Sequence, residues 1–450
     1  MRNLVVCVVT LIALGGALAL ALVQRTPGGP GVQWNEDLAT ITWTEALRDP
    51  NAKADEVPFS LLTGPAIGWL TDTEAEISWE VIGEKTLTGN PYASLPATYP
   101  AEKIQFRFAS LTGLKSNTEY RYQLKSGQFE SKVFRFRTMP APDATTLRFA
   151  MIGDTQRGDV PESAEIERKL FALIHAWNPA LFVHLGDMLE TGRGDGISGR
   201  KSWYRTLQRN REARASVFMA PTAGNHCWVG KGRGWYADYF ADVKGRSTTI
   251  KDGSQPPFFY SFDVANVHFV SLCTESAKVS GKKDVADEQH KDLPFTYNEQ
   301  LAWFENDLAK ARATWKVVFF HQPFHTAGPH PAPAYFTKDF GAICDKYGVQ
   351  LVLSGHDHSY QKTKRMTNVD RQVSDTGTVQ VISGGGDIRQ FDRVKNPPHW
   401  NLLHRKINHY VQVDVNAERM QFTAVDVKGD VFDTWLLPRK GQPRELDAAK

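Results

Sequence analysis

Cysteine is scarce in this sequence, which excludes a scaffold held together by disulfides. Only four cysteines occur in 450 residues, and one of them, Cys7, lies within the first apolar stretch. The other three, Cys227, Cys273 and Cys344, are widely spaced and cannot all pair, so they allow one bridge at most in an oxidising compartment. We therefore expect mainly free, packed thiols.

An excess of either sign of charge is also missing. Lys and Arg number 53 against 50 Asp and Glu, which gives a net charge of +3. This balance excludes recruitment by bulk electrostatics, and we predict no nucleic-acid scaffold as a partner. A content of 41% apolar and 23% charged residues is typical of a globular chain and excludes a disordered polymer. At about 150 residues per domain, the length predicts two or three folded units.

Histidine is absent from residues 1–174, and all 13 histidines lie at or after His175. Histidine is the side chain that most often binds metals and transfers protons near neutral pH. We therefore expect the chemistry of this protein to depend on the later part of the chain.

The one long hydrophobic run covers residues 4–23, which carry no charge and only Thr10 as a polar side chain. A Pro- and Gly-rich run follows at residues 27–31, and small residues near Ala21 resemble a cleavage site. We interpret residues 1–25 as a cleaved export signal, with a retained helical anchor that attaches the protein to a membrane as the alternative. The protein is then exported, and it is periplasmic, secreted or membrane-anchored with its domains outside the cytoplasm. Residues 26–54 are expected to be a linker.

A β-rich region follows at residues 55–140. Its short segments alternate apolar and polar residues and are separated by turn residues, which predicts strands buried on one face. The segment around Tyr120 resembles the tyrosine corner of fibronectin type III modules, where a tyrosine near the start of a strand bonds back to the preceding loop. We predict a small all-β, fibronectin type III-like sandwich.

The pattern changes at residues 145–440, where apolar strands alternate with helical segments. Residues 161–177 carry apolar side chains at helical spacing after Pro161, and similar stripes occur at 301–308 and 336–347. This alternation predicts a layered α/β domain, a β-sheet sandwich flanked by helices.

Successive predicted strands of this region each end in polar residues. Ligands of open α/β sheets gather outside the carboxyl ends of the strands, so these side chains are expected to converge although they are far apart in sequence. Glycine precedes several of them and lets the backbone turn sharply and approach a ligand closely. The residues concerned are Asp154 and Gln156, Asp187 and Glu190, Asn225 and His226, His321, and His356 and His358.

Oxygen and imidazole ligands together suit zinc, manganese or iron better than calcium or copper. The set is large enough for two divalent or trivalent ions, and the two carboxylate oxygens of Asp187 allow it to bridge them. Asp387, which follows Gly384, Gly385 and Gly386, is interpreted as an ordinary turn residue.

The chain contains, in this order, the motifs G-D, G-D-x-x-E, G-N-H, a lone histidine after a strand and G-H-x-H. Together they resemble the motifs of the calcineurin-like metallophosphoesterases. The fibronectin-like region ahead of them makes the chain most similar to the purple acid phosphatase branch and its bacterial relatives. The resemblance covers about residues 55–440.

The resemblance implies two ligand sets, which share Asp187. In the first set, Gln156 stands where many relatives have histidine, and Glu190 stands where the purple enzymes have a tyrosine ligand, so we expect no tyrosinate-to-iron colour. The implied first set is Asp154, Gln156, Asp187 and His358, and the implied second set is Asp187, Asn225, His321 and His356.

The resemblance also implies a reaction, the hydrolysis of phosphate mono- or diesters by a metal-activated hydroxide. His226 is then the catalytic residue that hydrogen-bonds the phosphoryl group or protonates the leaving oxygen. His325 and Arg233 are candidate substrate contacts, and Glu190 is a candidate for orienting a metal ligand.

Two other interpretations stay open at this point. Residues 226–233 read H-C-x-x-G-x-x-R, which resembles the phosphate loop of phosphatases that use a cysteine nucleophile, here Cys227. Alternatively, the front sandwich serves as a cell-surface binding module and the α/β domain is a degenerate phosphoesterase.

Overall fold

The computed structural model describes residues 31–42, 60–82, 104–157, 160–190, 203, 206–228, 236, 239–240, 243, 258–274, 295–330 and 334–439. The predicted signal at residues 1–25 and the predicted substrate contact Arg233 lie outside this part of the chain. Among the described residues, no helix combines the length and the apolar character needed to cross a membrane.

The strands between Gly31 and Arg137 form two small sheets in which most neighbouring strands are antiparallel. One has the order β1-β2-β6-β7 with β8 also pairing with β6, and the other has the order β3-β4-β5. The hydroxyl of Tyr120 accepts a hydrogen bond from the backbone N–H of Lys115 at 2.9 Å, the contact that a tyrosine corner requires. The strands are β1 Gly31–Asn35, β2 Leu38–Thr42, β3 Ser60–Leu70, β4 Glu74–Ile82, β5 Ile104–Thr112, β6 Glu119–Ser126, β7 Phe129–Glu130 and β8 Phe134–Arg137.

Strands β1 and β2 correct the expectation that residues 26–54 are a linker. They form a hairpin, and β2 pairs in parallel with β6, with Leu38 opposite Arg121. Ala39 and Ile41 of β2 are fully buried in the core. Residues 31–42 are therefore part of the sandwich.

The body consists of a six-stranded and a seven-stranded sheet, as the alternation of strands and helices predicts. The rings of Phe149 and Phe269 meet edge to face at 5.3 Å and join the two sheets through the core. The first sheet has the order β11-β10-β9-β19-β20-β21, formed by Phe218–Pro221, Leu181–His184, Leu147–Ile152, His409–Val415, Arg419–Asp426 and Val431–Pro438. The second has the order β12-β13-β14-β15-β17-β16-β18, formed by Tyr260–Val264, Val267–Ser271, Trp315–Phe319, Leu351–Ser354, Val379–Ser383, Tyr360–Thr363 and Asn401–Arg405.

Strands β9, β10 and β11 run parallel, as do β13, β14, β15 and β17. Parallel strands place their carboxyl ends at one edge of a sheet. The polar residues that follow β9, β10, β11, β14 and β15 are thereby delivered to the same side of the molecule.

Helices cover the sheets where the apolar stripes predict them. Helix α1 begins with Pro161 and ends at a left-handed Asn178, and its Phe171 ring packs on Phe182 of β10. The N-terminus of α3 is closed by a capping box between Thr296 and Glu299. The helices are α1 Pro161–Trp177, α2 Arg211–Ser216, α3 Tyr297–Lys310 and α4 Ala334–Tyr347.

A buried histidine ties α3 to the β12–β13 hairpin. His268 Nδ1 lies 2.6 Å from Asp263 Oδ1, and Nε2 lies 2.9 Å from Asp307 Oδ2. Burial lowers the pKa of His268, but its hydrogen bonds to the two carboxylates outweigh this and raise the pKa above its usual range. The imidazolium form is thus favoured in the fold.

We predict that His268→Gln removes a pH-dependent part of the stability. A raised histidine pKa gives stability that is fully present below about pH 6.5 and is lost as the pH rises through the folded-state value. The wild type should exceed the variant by roughly 1.5–3 kcal/mol, the range of a hydrogen bond to a charged group, near pH 6. Thermal unfolding at about pH 6 and about pH 10 should show this difference shrinking, whereas a constant or growing difference would contradict the prediction.

Candidate metal centre

Loops from two sheets meet at the carboxyl ends of their parallel strands and form a polar pocket. Asp154 follows β9 and Asp187 follows β10, in the first sheet. His321 follows β14, and His356 and His358 follow β15, in the second. Asp154 and His356, separated by 202 positions, are joined because the His356 N–H donates to both carboxylate oxygens of Asp154 at 2.8 and 3.0 Å.

One group of potential ligand atoms surrounds His321. Its Nε2 lies 3.1 Å from Asp187 Oδ2, 3.0 Å from Asn225 Oδ1 and 3.1 Å from His356 Nδ1. The ligand atoms of Asp187, His321 and His356 all lie within 4.8 Å of one another. His321 Nδ1 donates to the carbonyl of Leu185 at 2.8 Å, so Nε2 is the ring nitrogen that would bind a metal ion in place of a proton. The four residues of the predicted second set therefore converge.

The remaining predicted ligands form an adjoining group. Gln156 Nε2 lies 3.0 Å from His358 Nε2, which in turn is 3.5 Å from Asp154 Oδ1. His358 Nδ1 donates to the carbonyl of Arg389 at 2.5 Å and leaves Nε2 as the metal-binding nitrogen. Burial lowers the pKa of His358 to about 4, so its ring is neutral near pH 7.

Gln156 tests whether this group fits a cation. Its side chain is 2% exposed, and Oε1 has no hydrogen-bond partner among the residues that the structure describes. An unpaired buried oxygen costs free energy unless something positive meets it. A half-turn of the amide brings Oε1 to the position that faces His358 Nε2, where a neutral oxygen and a neutral nitrogen suit a shared metal ion.

The electrostatics of the buried carboxylates also fit a cation. Burial raises the pKa of Asp154 well above its usual range, although nearby His321 opposes this effect. Burial acts on Asp187 in the same direction, but contacts with His321 and the neighbouring histidines hold its pKa well below the usual range. Burial alone would lower the pKa of His321, yet Asp187 and Asp154 raise it to about 9. The same negative field that keeps a proton on His321 would hold a metal ion there.

The backbone is bent to bring these groups together. Asp154, Asp187 and His356 adopt left-handed conformations with φ of 58°, 50° and 68°, which residues other than glycine rarely do. A side chain at Gly224 would overlap the Asp187 carboxylate, and one at Gly355 would overlap that of Asp154. Glycine is therefore required for the close approach at these two points.

His226 and Glu190 occupy the edge of the pocket. The His226 N–H donates to Asp187 Oδ1 at 2.8 Å, while His226 Nδ1 lies 2.5 Å from the backbone carbonyl of Glu190. The imidazole is about one third exposed and its Nε2 lies 3.9 Å from Asp187 Oδ2. Glu190 thus orients His226 through its backbone carbonyl, which differs from the role expected of its carboxylate.

His325 does not reach the pocket. It is 3% exposed, and its ring packs 5.6 Å from that of Trp400 and 6.4 Å from that of Phe324. Burial lowers its pKa to about 4. The structure therefore corrects the expectation of a substrate contact, because His325 is a packing residue beneath the loop that follows β14.

His330, which the sequence analysis missed, lies in the pocket instead. Its ring is 5.5 Å from that of His356, and its Nδ1 lies 3.2 Å from Asp357 Oδ1. Asp357 is fully buried, and Thr326 Oγ1 donates to its second oxygen in a short hydrogen bond. The signal that would have found His330 is its place in the same Pro- and Gly-containing loop as His321, nine positions later.

Two further interpretations are corrected by burial. Burial raises the pKa of the Cys227 thiol to about 12, so the reactive thiolate that a cysteine nucleophile needs is not present near neutral pH. Asp387 is more than a turn residue, because it is fully buried and accepts a hydrogen bond from Ser163 Oγ at 2.6 Å.

Comparison with known proteins finds phosphoesterases among the relatives of this chain. Residues 147–360 match the model of the calcineurin-like phosphoesterase family. Purple acid phosphatase 15 of Arabidopsis thaliana is 25% identical over 313 residues, which cover 62% of this chain and only 53%, about half, of that protein. Acid phosphatase type 7 of Mus musculus is 22% identical over an alignment of 467 residues that covers 94% of this chain and 97% of that protein. The structure of a purple acid phosphatase from yellow lupin, Lupinus luteus, shares the fold with a TM-score of 0.60 at 16% identity, covering 86% of this chain and 75% of the lupin chain.

We predict that Gln156→Leu weakens the retention of one metal ion and spares the other, because it removes the orphaned oxygen from one group only. Affinity for that ion should fall by about tenfold or more, as it does when residues around a metal site are removed. Asn225→Leu should deplete the other ion. Gln412→Leu is the matched control, because the Gln412 amide donates to the Tyr410 hydroxyl, away from both groups. Elemental analysis after dialysis measures the content, and a Gln156→Leu protein that keeps both ions at full affinity would contradict the assignment.

Proposed function

Since residues 147–360 form a calcineurin-like phosphoesterase domain, we propose that this protein hydrolyses phosphate mono- or diesters at a two-metal centre. One observation supports the proposal: the ligand atoms around His321 and those around His358 form two adjoining groups. Asp187 belongs to the first group, and its negative charge also acts on His358 in the second. The ligand types that the family resemblance implies are present at every position except Gln156, which also supports an enzyme over a degenerate binding module.

The metals are ions of the iron, zinc and manganese class, as the mixture of carboxylate, amide and imidazole donors favours. Asp154, Gln156, Asp187 and His358 would hold one, and Asp187, Asn225, His321 and His356 the other. When bound, such ions make water acidic enough to ionise near neutral pH and stabilise negative charge that develops on phosphate oxygens.

Two imidazoles at the edge of the pocket supply hydrogen bonds to the substrate. His226 is oriented through Nδ1 by the Glu190 carbonyl, and His330 is oriented through Nδ1 by the Asp357 carboxylate. Each ring therefore presents Nε2 to the pocket. A protonated ring there can hydrogen-bond a phosphoryl oxygen or pass its proton to the leaving oxygen.

We also propose that the protein is exported. The support is the uncharged run at residues 4–23 followed by a Pro- and Gly-rich segment. Detecting the domains outside the cytoplasm, with residues 1–25 either removed or embedded in a membrane, is the test.

The proposal predicts metal-dependent turnover. The purified protein should hydrolyse p-nitrophenyl phosphate or bis(p-nitrophenyl) phosphate, lose this activity on chelation and regain it with zinc, manganese or iron. His226→Gln should lower kcat by about a hundredfold, within the range typical of acid–base groups. Cys227→Ser is the control and should retain activity, because the buried thiol takes no part. Turnover that survives chelation and disappears in Cys227→Ser would overturn the two-metal proposal.

Asp357 is predicted to act through His330. Asp357→Asn keeps the shape of the side chain but weakens the hold on His330, so kcat should fall about tenfold with little change in metal content. In a His330→Gln background the same substitution should have almost no further effect, which is the non-additivity of two residues in one unit. Asp392→Asn, an exposed residue paired with Lys406, is the control. Equal losses in both backgrounds would show that Asp357 does not position His330.

A further inference from the structure

Two arginines lie beside the His358 group with guanidinium groups that make no hydrogen bond to any residue the structure describes. Arg157 directly follows Gln156, and the Arg389 carbonyl accepts the hydrogen bond from His358 Nδ1. Arg209, by contrast, is bonded to buried Glu167. Uncommitted guanidinium groups next to a catalytic pocket are available to a ligand.

Arg157 is held at the pocket by its backbone and by a buried charge. Its φ is 67°, a left-handed conformation that a residue with a side chain adopts only when its surroundings impose it. Its Nε lies 3.9 Å from Asp387 Oδ2, a distance that attracts the guanidinium without a hydrogen bond. Both Nε and that oxygen lack hydrogen-bond partners in the described part of the chain, and one third of the side chain is exposed. The buried carboxylate therefore anchors Arg157 but leaves its donors unused.

Arg389 is placed by an aromatic ring. Its Cζ lies 5.2 Å from the centroid of Phe391, a cation–π distance. The Phe391 ring in turn stacks on His358, with centroids 4.5 Å apart and planes at 22°. The Arg389 N–H also faces Asp387 Oδ1 at 3.4 Å, so the same buried carboxylate contacts both arginines. Arg389 is exposed, and the Phe391 ring lies between its guanidinium and the imidazole of His358, a proposed metal ligand.

The scissile phosphate does not account for these arginines. Its charge would be met by the two metal ions, which the two carboxylates Asp154 and Asp187 neutralise only in part, and by His226 and His330. A guanidinium is a planar fork of donors that matches a phosphate in a bidentate manner. Two such forks with free donors on one side of the pocket suit a second phosphate.

The geometry points to a second anion subsite formed by Arg157 and Arg389, and hence to substrates that carry another phosphate beyond the one that is hydrolysed. This rests on the proposed function and names its substrate class. Asp387, buried beneath both arginines, is the residue that positions the subsite.

The test uses 1,3-propanediol bisphosphate and 1,3-propanediol monophosphate, which differ only in the distal group. Because either of its two equivalent phosphates can be hydrolysed, the bisphosphate has a twofold statistical advantage in kcat/KM even without a subsite. We expect the measured ratio to be about twentyfold or more, because one charge-assisted phosphate contact is typically a factor of about ten. Arg157→Gln and Arg389→Gln should each reduce this ratio toward two, and Arg389→Lys should restore it only in part, since lysine keeps the charge but not the fork.

Arg419→Gln is the matched control. Arg419 begins β20, level with the amino end of β9 and thus on the side of the sheet away from the pocket, so both rates should stay unchanged. A wild-type ratio of about two, or a higher ratio that neither substitution lowers, would overturn the subsite. If neither compound is hydrolysed, the proposed function fails instead. The subsite is then tested without turnover, by calorimetry of the metal-loaded protein with propane-1,3-bisphosphonate and propylphosphonate. A preference of no more than the statistical twofold overturns the subsite, and a larger preference for the bisphosphonate that either arginine substitution lowers supports it.

Discussion

Burying the carboxylates of Asp154 and Asp187 beneath the strand ends costs free energy that nearby positive charge and hydrogen bonds recover. Much of the surrounding structure serves this requirement. The left-handed turns at both residues and the glycines that face them bring the carboxylates close to His321 and His356. The hydrogen bond from His321 to the Leu185 carbonyl fixes the ring that faces Asp187. A cation bound at this point would therefore stabilise the arrangement.

The fold of the body and the convergence of the polar residues follow from signals that are local in sequence, whereas the division into two ligand sets came from the family resemblance. An apolar strand followed by glycine and a polar residue predicts a side chain at a strand end, and parallel pairing then brings such ends together. For this reason Asp154, which follows β9 of one sheet, and His358, which follows β15 of the other, could be expected to lie close together, and their side chains do so. The helix beginning at Pro161 and the tyrosine corner at Tyr120 are local for the same reason.

What escaped prediction depends on three-dimensional packing. His325 and His330 lie in one loop, and only the turn of that loop around the buried Asp357 carboxylate sends the second into the pocket and the first into the core. Asp387 looked like a turn residue because its partners, Ser163 and Arg157, are far away in sequence. The β1–β2 hairpin was missed because it joins the sandwich through β6, which pairs with β2 and lies about eighty positions later.

The segment that follows β17 has an unusual double attachment. The carbonyl of Arg389 orients the imidazole of His358, and the ring of Phe391 covers that same imidazole. In the proposed two-metal centre, this single stretch of backbone would influence both how firmly the ion beside His358 is retained and which substrates fit next to it. Under that proposal, sequence changes in this stretch would alter substrate preference and metal retention together.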